Sequence, residues 1–139
     1  MSKDTIATRI ILGIGLLGIG AMTLMSVLMP TETAADTGSK AISQRFLEML
    51  YEVGYVMLVV AFVEVAVGLS LIFNRFVALS LVIVSPILIN MVLYHAFLDI
   101  KGIVPALILI VLNCYLMIKY KKNYAPILQA GTKRHGSSV

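Results

Sequence analysis

Cysteine is nearly missing from this chain: among 139 residues Cys114 stands alone. One thiol forms no intramolecular disulfide, no C-x-x-C redox pair and no Cys/His zinc site, so a disulfide scaffold and a thiol relay are both excluded within one chain. Tryptophan is absent, and charged residues make up 13% where a soluble domain carries about 25%. Of the two histidines only His95 lies inside an apolar stretch, which excludes bis-histidine haem ligation by a single chain. What is present is apolar. Hydrophobic residues account for 60% of the chain and the mean hydropathy is +0.98, the composition of a protein solvated mainly by lipid. No long polar linker divides it, so residues 1–139 are expected to form one membrane domain.

Four runs approach the roughly 20 apolar residues that a membrane-spanning helix needs: Ile10 to Met29, Tyr55 to Phe73, Phe76 to Leu98, and Ile103 to about Ile118. The first opens on Lys3 and Arg9 like a secretory signal, and Thr33-Ala34-Ala35 offers a weak cleavage site. Its apolar stretch is too long for a signal core, so it reads as a helix closed by Pro30. Asn74-Arg75 and Asp99 to Gly102 are short turns, which makes the second, third and fourth spans antiparallel neighbours.

Between the first two spans, residues 40–53 place Ile42, Phe46, Met49, Leu50 and Val53 on one helical face. Ser43, Gln44, Arg45, Glu48 and Glu52 fall on the other. That is the pattern of an interfacial helix, with Thr37-Gly38-Ser39 as its turn and cap and Gly54 as the bend into the membrane. Glu48 and Glu52 read as a solvated face, not a metal site. The fold class is therefore all-α: an integral membrane four-helix bundle with a short interfacial helix between helices one and two, and a polar tail over 119–139.

In this arrangement Lys3, Arg9, Arg75, Lys119, Lys121, Lys122, Lys133 and Arg134 share one side, and Lys40, Arg45 and Lys101 the other. The positive-inside rule then makes both termini cytoplasmic. The Lys119 to Lys122 cluster suits anionic lipid headgroups; without a folded basic surface or interleaved aromatics, nucleic acid is the poorer partner.

Glu64 sits mid-span, where an acidic residue costs roughly 2.5 to 3.5 kcal/mol to insert. It must face protein, as the neutral acid, hydrogen-bonded to another helix, or both. Ser85, the Val82 carbonyl freed by Pro86, and Asn113 lie near its depth and are its candidate partners. A kink is expected at Pro86. Gly54, Ala61, Glu64 and Gly68 form a small-residue stripe that admits a close neighbour. Gly13-Ile14-Gly15-Leu16-Leu17-Gly18 matches G-x-G-x-x-G, but no strand precedes it and a phosphate cannot reach it, so helix packing is the better reading. His95 and Asp99, four apart, share a face where the carboxylate would orient the imidazole; a purely structural hydrogen bond from His95 is at least as good a reading.

Glu64-Val65-Ala66-Val67-Gly68-Leu69, Asn74-Arg75-Phe76-Val77, then Pro86, Asn90 and Tyr94-His95-Ala96-Phe97-Leu98-Asp99 together closely resemble the DoxX family of small four-helix bacterial membrane proteins. The resemblance is strongest from Tyr55 to Asp99 and extends to Arg9 through Gly13 and Lys119 through Pro126. Where the family often places a lysine near the end of helix one, this chain reads Ala21-Met22-Thr23-Leu24. The resemblance implies a bacterial inner-membrane location and a membrane subunit associated with quinone- or thiol-linked oxidoreductases. The architecture is also similar to the vitamin K epoxide reductase bundle, whose chemistry needs a thiol pair that Cys114 alone does not supply.

Two functions are expected from these readings. The first is a non-catalytic membrane subunit or anchor of an oxidoreductase assembly, with Glu64, Asn90, His95 and Asp99 bordering a pocket for a quinone or other small ligand. Gly68, Asn74, Arg75, Pro86 and Asn113 are then structural. Its partners are membrane lipids and other oxidoreductase subunits or further copies of the chain. The second is a proton-coupled small-molecule transporter acting as a dimer through Glu64. Beside both stands the plain reading that Glu64 only ties helices together.

Overall fold

The structure, a computed structural model, describes residues 3–29 and 42–128. Among them are six α-helices, one 3₁₀ turn and no strand: α1 (Lys3–Leu28), α2 (Ile42–Glu52), α3 (Tyr55–Ile72), α4 (Val77–Phe97), the 3₁₀ turn Ile100–Gly102, α5 (Ile103–Lys119) and α6 (Lys121–Leu128). Helices α1, α3 and α4, and α5 with the turn that leads into it, are long and apolar enough to cross a membrane. At 1.5 Å per residue the shortest of them reaches about 27 Å. The expected four-helix membrane bundle is the architecture found.

The four spans form a ring. Helix α1 packs against α3 and α5, and α4 packs against the same two from the opposite side. Short turns make α3, α4 and α5 successive antiparallel neighbours, and α1 runs antiparallel to α3 with Gly13 beside Gly68 and Gly20 beside Glu64, so one end, here the N-terminal face, carries the start of α1, the α3–α4 turn and α6. The other, the far face, carries α2 and the 3₁₀ turn. Leu12, Leu16, Leu71, Leu81, Leu88 and Leu116 are fully buried within the ring. Meanwhile Ile11, Ile14, Phe62, Leu79 and Val111 remain exposed on its outside, while the polar Arg9, Glu64, Ser80 and Asn113 are buried. Apolar side chains all round a helix are what a lipid solvent requires.

Helix α2 runs along the far face as the amphipathic pattern predicts. Its Phe46 ring stacks on Tyr94 with centroids 6.0 Å apart. Ile42, Met49 and Val53 stay exposed on α2 and the turn after it, as an interfacial helix leaves them. Gly54 makes the bend into α3 at φ 75°, a conformation only glycine adopts freely. The expected helix start at Lys40, the Thr37-Gly38-Ser39 turn, Pro30, Thr33-Ala34-Ala35, Lys133 and Arg134 lie outside the described residues.

Two boundaries differ from expectation. Helix α1 begins at Lys3, not Ile10, so Arg9 is a buried helical residue instead of a flanking charge. The tail that starts at Lys119 contains α6, held because the Tyr124 hydroxyl donates to the Ala78 carbonyl at 3.0 Å. Burial pushes the Tyr124 phenol up from its ordinary range. Helix α4 runs through Pro86 without interruption.

Candidate functional site

Glu64 is 1% exposed, and its cover is helix α1. A Cβ added at Gly20 would stand 2.8 Å from the Glu64 Cβ; one added at Gly68 would stand 2.8 Å from the Gly13 carbonyl oxygen and 2.9 Å from the Leu17 amide nitrogen. Backbones this close need glycine on both helices. The small-residue stripe of α3 therefore receives α1, and the acid faces protein. Within the G-x-G-x-x-G run, Gly13 meets α3, Gly15 meets Leu109 of α5 and Gly18 meets nothing, so the match is helix packing.

No expected partner reaches the carboxyl. Oε2 of Glu64 is buried with no hydrogen-bond partner among the described residues. Ser85 and Asn113 bond each other instead: Asn113 Nδ2 donates to Ser85 Oγ at 3.0 Å, and Ser85 Oγ donates to the Leu81 carbonyl at 2.7 Å. For Asn113 the ring order explains this, because α5 adjoins α4 while α3 lies across the diagonal; α4 adjoins α3 too, but the Ser85 hydroxyl is taken up by Asn113 and the Leu81 carbonyl. A short amide side chain bonds the nearer helix. The depth expectation holds, since by helix rise Glu64 and Ser85 are each about 12 Å from the N-terminal face and Asn113 about 9 Å. The layer also contains Asn113 Oδ1, again buried and unpartnered among the described residues.

Near the N-terminal face lies a contact that sequence reasoning missed. Arg9, 6% exposed, donates from Nη1 to Oδ1 of Asn74 in the α3–α4 turn, while its Nε has no hydrogen-bond partner among the described residues. The signal was the helical spacing that puts Arg9 in line with Leu12, Gly13, Leu16 and Gly20, the inward face of α1. Asn74 and Phe76 are the non-glycine residues with positive φ among those described, at 57° and 51°. Asn74 thus serves a left-handed turn and a buried guanidinium together. Arg75 is exposed, its guanidinium 6.0 Å from the centre of the Phe76 ring.

At the far face, His95 Nδ1 lies 3.0 Å from the main-chain carbonyl of Asp99, not from its carboxylate. The Asp99 carboxylate instead caps the 3₁₀ turn, accepting from the Lys101 amide at 3.3 Å. Helix termini leave such backbone groups in need of partners, and both residues answer that need. Gly102 lies directly against the imidazole; a Cβ there would overlap the ring. Asn90 is exposed and donates to the Pro86 carbonyl one turn back, at 3.0 Å.

The four residues proposed to border one pocket are therefore not brought together. Glu64 is covered by α1, Asn90 points outward, and His95 with Asp99 hold the far-face turn, about 15 Å from the level of Glu64 by helix rise. Two grooves lie elsewhere. One of about 830 Å³ runs between α4, α5 and α6 at the N-terminal face. Another of about 260 Å³ lies between α3 and α4 beside Ser70 and Ser80. No three His, Cys, Asp or Glu residues gather among the described residues, and Cys114 is exposed on the outside of α5.

Spans clothed in apolar side chains, with polar groups turned inward, make this a multi-pass helical membrane protein. No family model matches the chain, and no curated protein or solved structure matches it.

Proposed function

We propose that this chain is a DoxX-like, non-catalytic subunit of a bacterial inner-membrane oxidoreductase assembly, with both termini cytoplasmic. The observation that carries the reading is the use made of the polar residues. Arg9 bonds Asn74, Asn113 bonds Ser85, and His95 and Asp99 close a helix end, so these side chains join elements within the bundle instead of converging on one reacting centre. Such a body suits holding partners in place. A quinone is the candidate cofactor of the assembly. After gentle extraction, His95→Ala is expected to lower the recovery of co-purifying oxidoreductase subunits or quinone; recovery identical to the parent protein overturns the reading.

A second function is favoured by one specific atom. Glu64 Oε2, buried mid-span with no hydrogen-bond partner among the described residues, suits a carboxyl that takes up and releases a proton during exchange, as in a dimeric proton-coupled transporter. Under that reading Glu64→Gln abolishes pH-driven uptake in vesicles while the protein still folds. Uptake equal to that of the parent protein removes it.

A further inference from the structure

We propose that the groove between α4, α5 and α6 is a binding site for one anionic phospholipid, its acyl chains against Leu79, Val82 and Met117 and its phosphate at the lip formed by Asn74, Phe76 and Asn123. The groove has the size of a small-ligand site, about 830 Å³ against the roughly 300 to 1,000 Å³ usual for one. Its wall is apolar where it runs along α4 and polar where it reaches the N-terminal face. That is the polarity profile of a lipid: chains toward mid-membrane, headgroup at the rim.

Charge selects the lipid class. Arg75 lies beside the lip, its guanidinium over the Phe76 ring that lines the groove. Lys121 and Lys122 open α6 between the lining residues Tyr120 and Asn123, and Lys119, its ammonium 5.2 Å from the centre of the Tyr115 ring, closes α5 one residue before them. Against these four cations, the sequence carries no Asp or Glu from Val65 to Leu98 and none after Asp99. Asp4, in the first turn of α1, is the described acid on this face. A zwitterionic headgroup would leave the excess positive charge unanswered, and an anionic one answers it. The Tyr124 to Ala78 hydrogen bond holds α6 across the groove and so fixes its width.

The absence of tryptophan makes the test clean, because one introduced tryptophan is the only indole in the protein. Phe76→Trp puts it in the groove, Leu79→Trp repeats the reading from the groove wall, and Ile118→Trp places it at the same face on an exposed position outside the groove. Each protein is reconstituted in vesicles of phosphatidylcholine with a minor fraction of brominated phosphatidylglycerol or, separately, brominated phosphatidylcholine. Quenching at Phe76→Trp and Leu79→Trp is expected to favour the anionic lipid by about fivefold for each cation engaged. Combining either reporter with Arg75→Gln and Lys121→Gln should remove the preference. An equal preference at Ile118→Trp would mean general attraction of anionic lipid to a basic rim and would overturn the site. Equal quenching by both lipids at the groove reporters, or a preference that survives loss of the cations, overturns it as well.

Discussion

Asn74 illustrates how a single residue in a membrane bundle answers two demands. Its backbone is left-handed, which asparagine tolerates better than other side chains with a Cβ, and its Oδ1 accepts from a guanidinium withdrawn from water. Asn74→Gly separates the two demands, since glycine keeps the turn and loses the acceptor. The expected cost is that of leaving a buried donor unsatisfied, about 1 to 3 kcal/mol, read as a lower unfolding midpoint in detergent. An unchanged midpoint would show that Arg9 does not depend on Asn74. Residue by residue, burial of Glu64 was legible because an acid at that depth has nowhere else to go. That no described residue bonds its Oε2 was not legible: spacing sets depth along a helix, whereas the choice of partner depends on which helices adjoin and on which side chains are already taken up by others.

Helices are held together mainly by what they omit. Gly13 and Gly20 of α1 and Gly68 of α3 let two backbones meet closely, and the α3 half of this stripe could be read from the sequence as Gly54, Ala61, Glu64 and Gly68. Gly68→Ala drives a Cβ into the Gly13 carbonyl and the Leu17 amide, backbone atoms that cannot step aside. The overpacking cost is about 1 to 3 kcal/mol. Gly18→Ala meets open space and should be neutral, or stabilising by up to about 1 kcal/mol through helix propensity. Paired thermal melts check both, and equal effects at the two positions would contradict the assigned α1–α3 face. Helix α2 was legible from its two-faced pattern. Helix α6 was not, because lysines followed by Pro126 read locally as a tail, and the contact that fixes the helix comes from Ala78, remote in sequence.

For the whole molecule, apolar run lengths were enough to count the spans, and short turns to order α3, α4 and α5 as antiparallel neighbours. Each span is longer than a bilayer core demands or nearly equal to it, and the turns leave no room for crossover connections. The pocket expected from Glu64, Asn90, His95 and Asp99 did not follow, because residues that share a sequence pattern lie at different depths and on different faces once wound into helices. The arrangement on which the rest depends is a four-span ring with the 3₁₀ turn on one side of the membrane and α6 on the other. Single cysteines at Lys101→Cys and Lys121→Cys, each with the exposed Cys114 replaced by serine, test it with a membrane-impermeant thiol reagent applied to oriented vesicles. A four-span ring exposes the two positions to labelling from opposite sides; labelling of both from the same side rules that ring out.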